Sequence, residues 1–209
     1  YDKLDECYGI REIISYDQLM ADAAKRTTYP GGAERAKDEV NGDLVGLYFY
    51  SKVINDTDAV ASSKRPDIKL GYWCICQELF PIVARVSPPD VELMALIDYT
   101  PTRITQRLED FERLPAEDLR AVLIATLEDD NIGLLPQLTT HSLYTCIRKA
   151  QECGWAGFTT RYWQIAEQDP AAASLAKAAW DAEVTPEAVY RDQALAACGP
   201  EAVDDLLAL

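Results

Sequence analysis

A chain of 209 residues that is 48% hydrophobic is long enough to bury a proper core and too apolar for disorder. Its formal charge of −15 is spread along the chain, which argues against nucleic acid or an anionic membrane as main partner and favours a neutral or cationic ligand. Six cysteines without a CxxC pair, and His141 as the only histidine, support neither a dense disulfide framework nor a structural zinc site; buried free thiols are expected.

From Asp2 to about Arg26 the pattern is helical, with Leu4, Cys7, Tyr8, Ile14 and Leu19 recurring near a 3.6-residue period. Thr28-Tyr29-Pro30-Gly31-Gly32 breaks it. A second helix is predicted from near Ala33 to Ala61, with Asn41-Gly42-Asp43 as a point of interruption. It contains Asn55-Asp56-Thr57, a triplet with the form of a glycosylation acceptor. Lys64-Arg65-Pro66-Asp67 closes the helix and introduces a short strand from Ile68 to Gln77. Glu78-Leu79-Phe80-Pro81 then makes a turn or short helix toward Arg85, and Ser87-Pro88-Pro89-Asp90 leads into the next strand.

Three later stretches share one grammar, an apolar run that ends in ionisable or aromatic residues: Val91 to Tyr99, Ala121 to Asp130, and Trp155 to Trp163. Each reads as a strand buried on both faces, and each leads into a helical pattern. The helices run from Pro101 to near Leu114, from Thr139 to Glu152, from Ala171 to Trp180, from Thr185 to Cys198 and from Glu201 to Leu209. Thr185-Pro186-Glu187 supplies a cap, a first-turn proline and a first-turn acid. Arg103, Arg107, Arg113 and Arg120 alternate with acids and read as a solvated helix face. Nothing resembles a transmembrane span or a signal peptide; the compartment stays open.

Strands alternating with helices imply an α/β fold with parallel pairing and right-handed crossovers. Four β/α units make half of an eight-fold barrel, with a helical segment over residues 1–67, the β/α units over 68–170 and C-terminal helices over 171–209. The competitor is an open doubly wound sheet, whose glycine-rich phosphate loop is missing from the sequence.

Gly154-Trp155-Ala156-Gly157-Phe158 with Arg161-Tyr162-Trp163, then Ala178-Ala179-Trp180, Thr185 to Asp192 and Gly199-Pro200-Glu201-Ala202, resembles the C-terminal end of the catalytic (β/α)8 barrel of α-glucuronidase and hexosaminidase-like glycoside hydrolases. The resemblance covers roughly residues 68 to 209 and is one of style. It implies a partial barrel, a carbohydrate substrate, no cofactor, and either the remainder of a larger enzyme or a second chain to complete the barrel. A catalytic carboxylate can then lie outside this sequence.

Ligands of such sheets bind beyond the carboxyl ends of the strands. Glycoside cleavage needs two carboxyl groups, about 5 Å apart for retention and about 6.5 to 9.5 Å for inversion. Asp98 and two members of the Glu128-Asp129-Asp130 run, Asp129 and Asp130, are the catalytic candidates. An acidic helix-capping loop is the alternative for the run, and an arginine partner, Arg103 or Arg161, the alternative for Asp98. Tyr99, Arg161, Tyr162, Trp163 and Trp73 are the substrate-binding candidates: Tyr99 for a hydrogen bond to a sugar hydroxyl or a nearby carboxylate, with a core role as its alternative, the Tyr162 and Trp163 rings for stacking on a sugar face and the Arg161 guanidinium for a uronic acid. Glu78 reads better as a cap before Pro81, and His141 as a surface or capping residue; Asn131 and Gln137 lie where specificity loops fall. A non-catalytic acidic interaction module and a Mg²⁺-dependent barrel enzyme are the competing functions.

Overall fold

The computed structural model describes residues 1–25, 31–73, 76–98, 100–127, 139–160 and 169–208. The fold is mixed α/β, with a four-stranded parallel sheet in the order β1 (Gly71–Trp73), β2 (Glu92–Ala95), β3 (Arg120–Ile124) and β4 (Gly157–Thr159). Residues Gly71, Tyr72 and Trp73 pair in parallel with Glu92, Leu93 and Met94. The strands are shorter than the apolar runs that announce them. β3 is buried from Ala121 through Leu127, the both-faces cover its sequence predicts. β2 departs from that expectation: Val91, Leu93, Ala95 and Ile97 are buried, whereas the alternate residues Glu92, Met94, Leu96 and Asp98 are partly exposed.

The chain divides into two compact units, one of Tyr1–Ile97 with Glu109–Val122 and one of Asp98–Leu108 with Leu123–Leu209. In the first unit the single N-terminal helix expected from the sequence is broken. Gly9, at φ 66°, ends α1 (Asp2–Tyr8) in the left-handed conformation that glycine adopts without steric cost. A 3₁₀ turn, Ile10–Glu12, follows, and Ser15 then opens α2 (Tyr16–Ala24) by accepting a hydrogen bond from Gln18 N at 3.1 Å. Helix α3 (Gly32–Lys64) is, by contrast, unbroken at Asn41-Gly42-Asp43. Its continuous face of Ala36, Val40, Leu44 and Leu47 is buried with Leu4, Ile10, Leu19, Leu79, Ile82 and Val86. Burial of such a face outweighs the roughly 1 kcal/mol by which an interior glycine disfavours a helix.

The C-terminal end of α3 is tied to the end of α4 (Phe80–Val86), where Asn55 Nδ2 donates to Ser51 O at 2.6 Å and to Val86 O at 3.1 Å. The nitrogen that would carry a glycan at this triplet thus donates to two backbone carbonyls in the folded chain. The solvated-helix reading of the arginine series is corrected. The stretch after α5 (Pro101–Ile104) is a 3₁₀ helix, Leu108–Arg113, in which Arg113 Nη2 binds Asp22 at 3.0 Å and Nε donates to Gln77 O at 3.3 Å. Arg120 lies in β3 and pairs with Glu92 at 2.9 Å.

In the second unit, α6 (Thr140–Glu152) buries Leu143, Cys146, Ile147 and Ala150. Beyond it are α7 (Asp169–Ala178), α8 (Pro186–Cys198) and α9 (Val203–Leu207). Thr185 caps α8 by accepting from Ala188 N, as the Thr-Pro-Glu sequence predicts. Ion pairs Lys177–Asp192 and Arg191–Asp204 join α7 to α8 and α8 to α9. Cys7, Cys76, Cys146, Cys153 and Cys198 are free thiols, but Cys7 and Cys198 are exposed and not buried as expected; Cys74 lies outside the described residues. Among the described residues, no helix is long and apolar enough to cross a membrane.

Burial opposes the charge on Asp22, but hydrogen bonds from Lys25, Arg113 and Gln18 hold its carboxyl below the usual carboxylate range. A carboxyl depressed in the folded state stabilises the fold above its unfolded value, near 3.9, and that contribution is lost as the pH falls through the folded value. Asp22→Asn is expected to lose roughly 1–2 kcal/mol in urea denaturation at pH 7. The gap to the parent protein closes as both are titrated well below about pH 4. A gap of the same size at all pH values assigns the loss to packing instead of charge.

Candidate functional site at the strand ends

The boundary between the units falls between Ile97 and Asp98, so the catalytic candidates belong by sequence to the second unit, whereas Trp73 belongs to the first. Trp73 closes β1 and is 48% exposed. Of the other selected positions, only Asp98 is described. Tyr99, Asp129, Asp130, Arg161, Tyr162 and Trp163 lie outside the described residues, as do Glu128, Asn131 and Gln137.

The Asp98 side chain is 21% exposed and its Oδ1 lies 3.5 Å from Nη1 of Arg103. Local sequence explains the pairing. Thr100 caps α5 by accepting from Arg103 N at 3.2 Å, Pro101 fits the first helical position, and the turn so formed brings the Arg103 side chain back to Asp98. The arginine partner that a carboxylate after Leu96-Ile97 requires is therefore Arg103.

Two hydrogen bonds continue the β3–β4 pairing past the strand ends. Ala125 N donates to Thr159 O at 2.9 Å, and Thr160 Oγ1 donates to Ala125 O at 2.6 Å. The acidic run begins three residues after Ala125, and Arg161-Tyr162-Trp163 begins directly after Thr160. Both predicted clusters thus depart from one hydrogen-bonded point. At the start of α6, Thr139 and Thr140 are buried, and neither hydroxyl has a hydrogen-bond partner among the described residues. Thr139 occupies the N-cap position of α6 but its hydroxyl does not cap. A polar group buried in this way costs about 1–3 kcal/mol.

Gln77 was not singled out by sequence reasoning. It is buried in the first unit, and its Nε2 donates to Leu96 O at 3.2 Å and Ile97 O at 2.9 Å, the carbonyls of the two residues that precede Asp98 in the chain. Its only sequence signal is an amide placed between Cys76 and the apolar Leu79-Phe80. Glu78, expected as a turn cap, is buried in the 3₁₀ turn Gln77–Leu79. His141 is a surface residue, with Nε2 3.1 Å from Glu187 Oε1 and its ring beside Tyr190. Glu187 is held below the usual carboxylate range by its own backbone N–H and by His141. Cys146 donates to Pro101 O, and burial pushes its thiol up to about 12, which removes it as a nucleophile near neutrality.

Among the described residues, no three His, Cys, Asp or Glu side chains gather as a metal site. A surface groove of about 580 Å³ in the second unit is lined by Lys177, Trp180, Asp181, Glu183, Val184 and Asp192, with Trp180 93% exposed. It contains none of the predicted site residues. No family model, no curated protein and no solved structure matches this chain.

Replacing Gln77 by leucine removes the donor but keeps the volume, leaving the Leu96 and Ile97 carbonyls without it. The expected loss is roughly 1–3 kcal/mol in urea denaturation. An unchanged midpoint shows that water satisfies those carbonyls equally well.

Proposed function

We propose that this chain carries half of a (β/α)8-type glycoside hydrolase domain and cleaves a glycosidic bond with two carboxyl groups, Asp98 after β2 and Asp129 or Asp130 after β3. The observation that carries the reading is the Ala125–Thr159/Thr160 tie, from which the acidic run and Arg161-Tyr162-Trp163 both depart. Strand order supports the architecture. A sheet in which sequence order and spatial order coincide has the arrangement of consecutive barrel units, whereas a doubly wound sheet reverses its order at a switch point.

In this reading Asp98 and one of Asp129 and Asp130 share the roles of proton donor and of nucleophile or base. Arg161 grips a substrate carboxylate, and Tyr162 and Trp163 stack on the sugar ring. The resemblance to α-glucuronidase and hexosaminidase-like barrels makes a uronic acid or amino sugar the substrate class. Trp73, in the other unit, has no part in this assignment.

One observation favours a second reading, a non-catalytic interaction module: the almost fully exposed Trp180 beside an acid-lined groove.

Turnover of a panel of aryl glycosides and uronides by the intact protein separates the two. Hydrolysis of at least one substrate is expected, with kcat lowered roughly 10²–10⁴-fold by Asp98→Asn and by Asp129→Asn. Unchanged kcat in both variants removes the carboxylate assignment. Saturable binding without turnover, lost on Trp180→Ala, supports the interaction module.

A further inference from the structure

Helix α3 has two apolar faces, and only one of them is covered. At 100° per residue, Ala36, Val40, Leu44, Leu47 and Ser51 fall on one side and are buried. Gly42, Gly46, Phe49, Val53 and Val60 fall on the opposite side, with Val45 beside them. The Val45, Phe49, Val53 and Val60 side chains are between 57% and 61% exposed. A Cβ added at Gly42 or Gly46 meets nothing within 4 Å, and neither glycine has a positive φ. The chain's own packing therefore gives no reason for two glycines that weaken the helix. Close approach of a second helix does.

We propose that α3 pairs antiparallel with α3 of a second copy of this chain. About a two-fold axis at Ser51, Phe49 meets Val53 of the second copy and Gly42 meets Val60. Gly46 lies opposite Asp56, whose carboxylate reaches water over the missing side chain. Positions 42, 46, 49, 53, 56 and 60 alternate steps of four and three, the layer spacing of a helix pair, and the series is symmetric about residue 51. In the same register Asp38 of each copy faces Lys64 of the other. Both are exposed, and neither forms an ion pair among the described residues.

Charge selects the orientation. The N-terminal turns of α3 carry Glu34, Asp38 and Glu39 with Arg35 and Lys37, the latter paired with Glu34, while its C-terminal end carries Lys64, with Arg65 just beyond it paired with Asp67. Antiparallel pairing sets the acidic end on the basic one and opposes the two helix dipoles; parallel pairing stacks Asp38 on Asp38 and Lys64 on Lys64. Lys52, close to the two-fold, has its ammonium over the Tyr48 ring at 4.9 Å, away from the seam. A helix of 33 residues is roughly 50 Å long, and a seam along most of it buries on the order of 1,000 Å², the size of a specific interface.

This surface belongs to the first unit and does not rest on the glycosidase reading. Sedimentation equilibrium of the 209-residue chain tests it. A dimer is expected, and Phe49→Glu is expected to raise its Kd by roughly 100-fold or more with far-UV circular dichroism unchanged, since the residue is exposed in the monomer. Asp38→Lys and Lys64→Asp alone are each expected to weaken association by roughly 3–30-fold, and together to restore it. A chain that stays monomeric at millimolar concentration, a dimer indifferent to Phe49→Glu, or a double variant no tighter than either single one overturns the proposal.

Discussion

A buried carbonyl or amide that no strand or helix pairs has to be met by a side chain, and in this protein that requirement falls on a small set of polar residues. Its sheet strands are only three to five residues long, so much of the apolar sequence around them lies beyond the ladders. Gln77 meets the carbonyls after β2, Thr160 meets the one after β3, and Asp43 accepts from the amide of Cys76 at 2.9 Å. The Tyr1 hydroxyl donates to Ile14 O at 2.7 Å. At the ends of β2 and β3 the sheet's short pairing is thus continued by individual side chains.

The division of ionic contacts follows from the same economy of polar groups. With acids far in excess, most basic side chains among the described residues find a carboxylate; many of these pairs are local, and others join distant segments. Arg113 reaches Asp22 across 91 positions of sequence, and Arg120 reaches Glu92 across the neighbouring strand. Arg103 and Asp98 are instead a local pair, closed by a threonine-capped turn. Asp22, with Lys25, Gln18 and Arg113 around it, is fully engaged in the fold.

Much of the architecture is legible in the sequence because it rests on signals that burial reinforces. Continuous apolar residues mark β3, the Thr-Pro-Glu triplet marks the start of α8, and the alternation of strand and helix gives a parallel sheet. What periodicity does not show is where a helix must bend to let another element pass. Gly9 divides a pattern that otherwise continues, while Gly42 sits inside one that does continue, and only the packing of Leu4, Ile10 and Leu44 in a common core distinguishes them. The strand-end argument offers two arginines as the structural alternative for Asp98, and Arg103 is the one 3.5 Å from it. It is silent on Gln77, whose importance comes from two carbonyls that lie 19 and 20 residues away in the chain.

Asn55 adds a consequence concerning time. Its amide is occupied in the folded chain by carbonyls at Ser51 and Val86, and the second of these arrives only when α4 has docked. Were the chain made in a compartment that attaches glycans, modification would compete with this docking, and sugar could be added only to molecules still short of the native arrangement. Occupancy at that asparagine would then act as a clock, recording how long nascent chains linger before the third and fourth helices lock together.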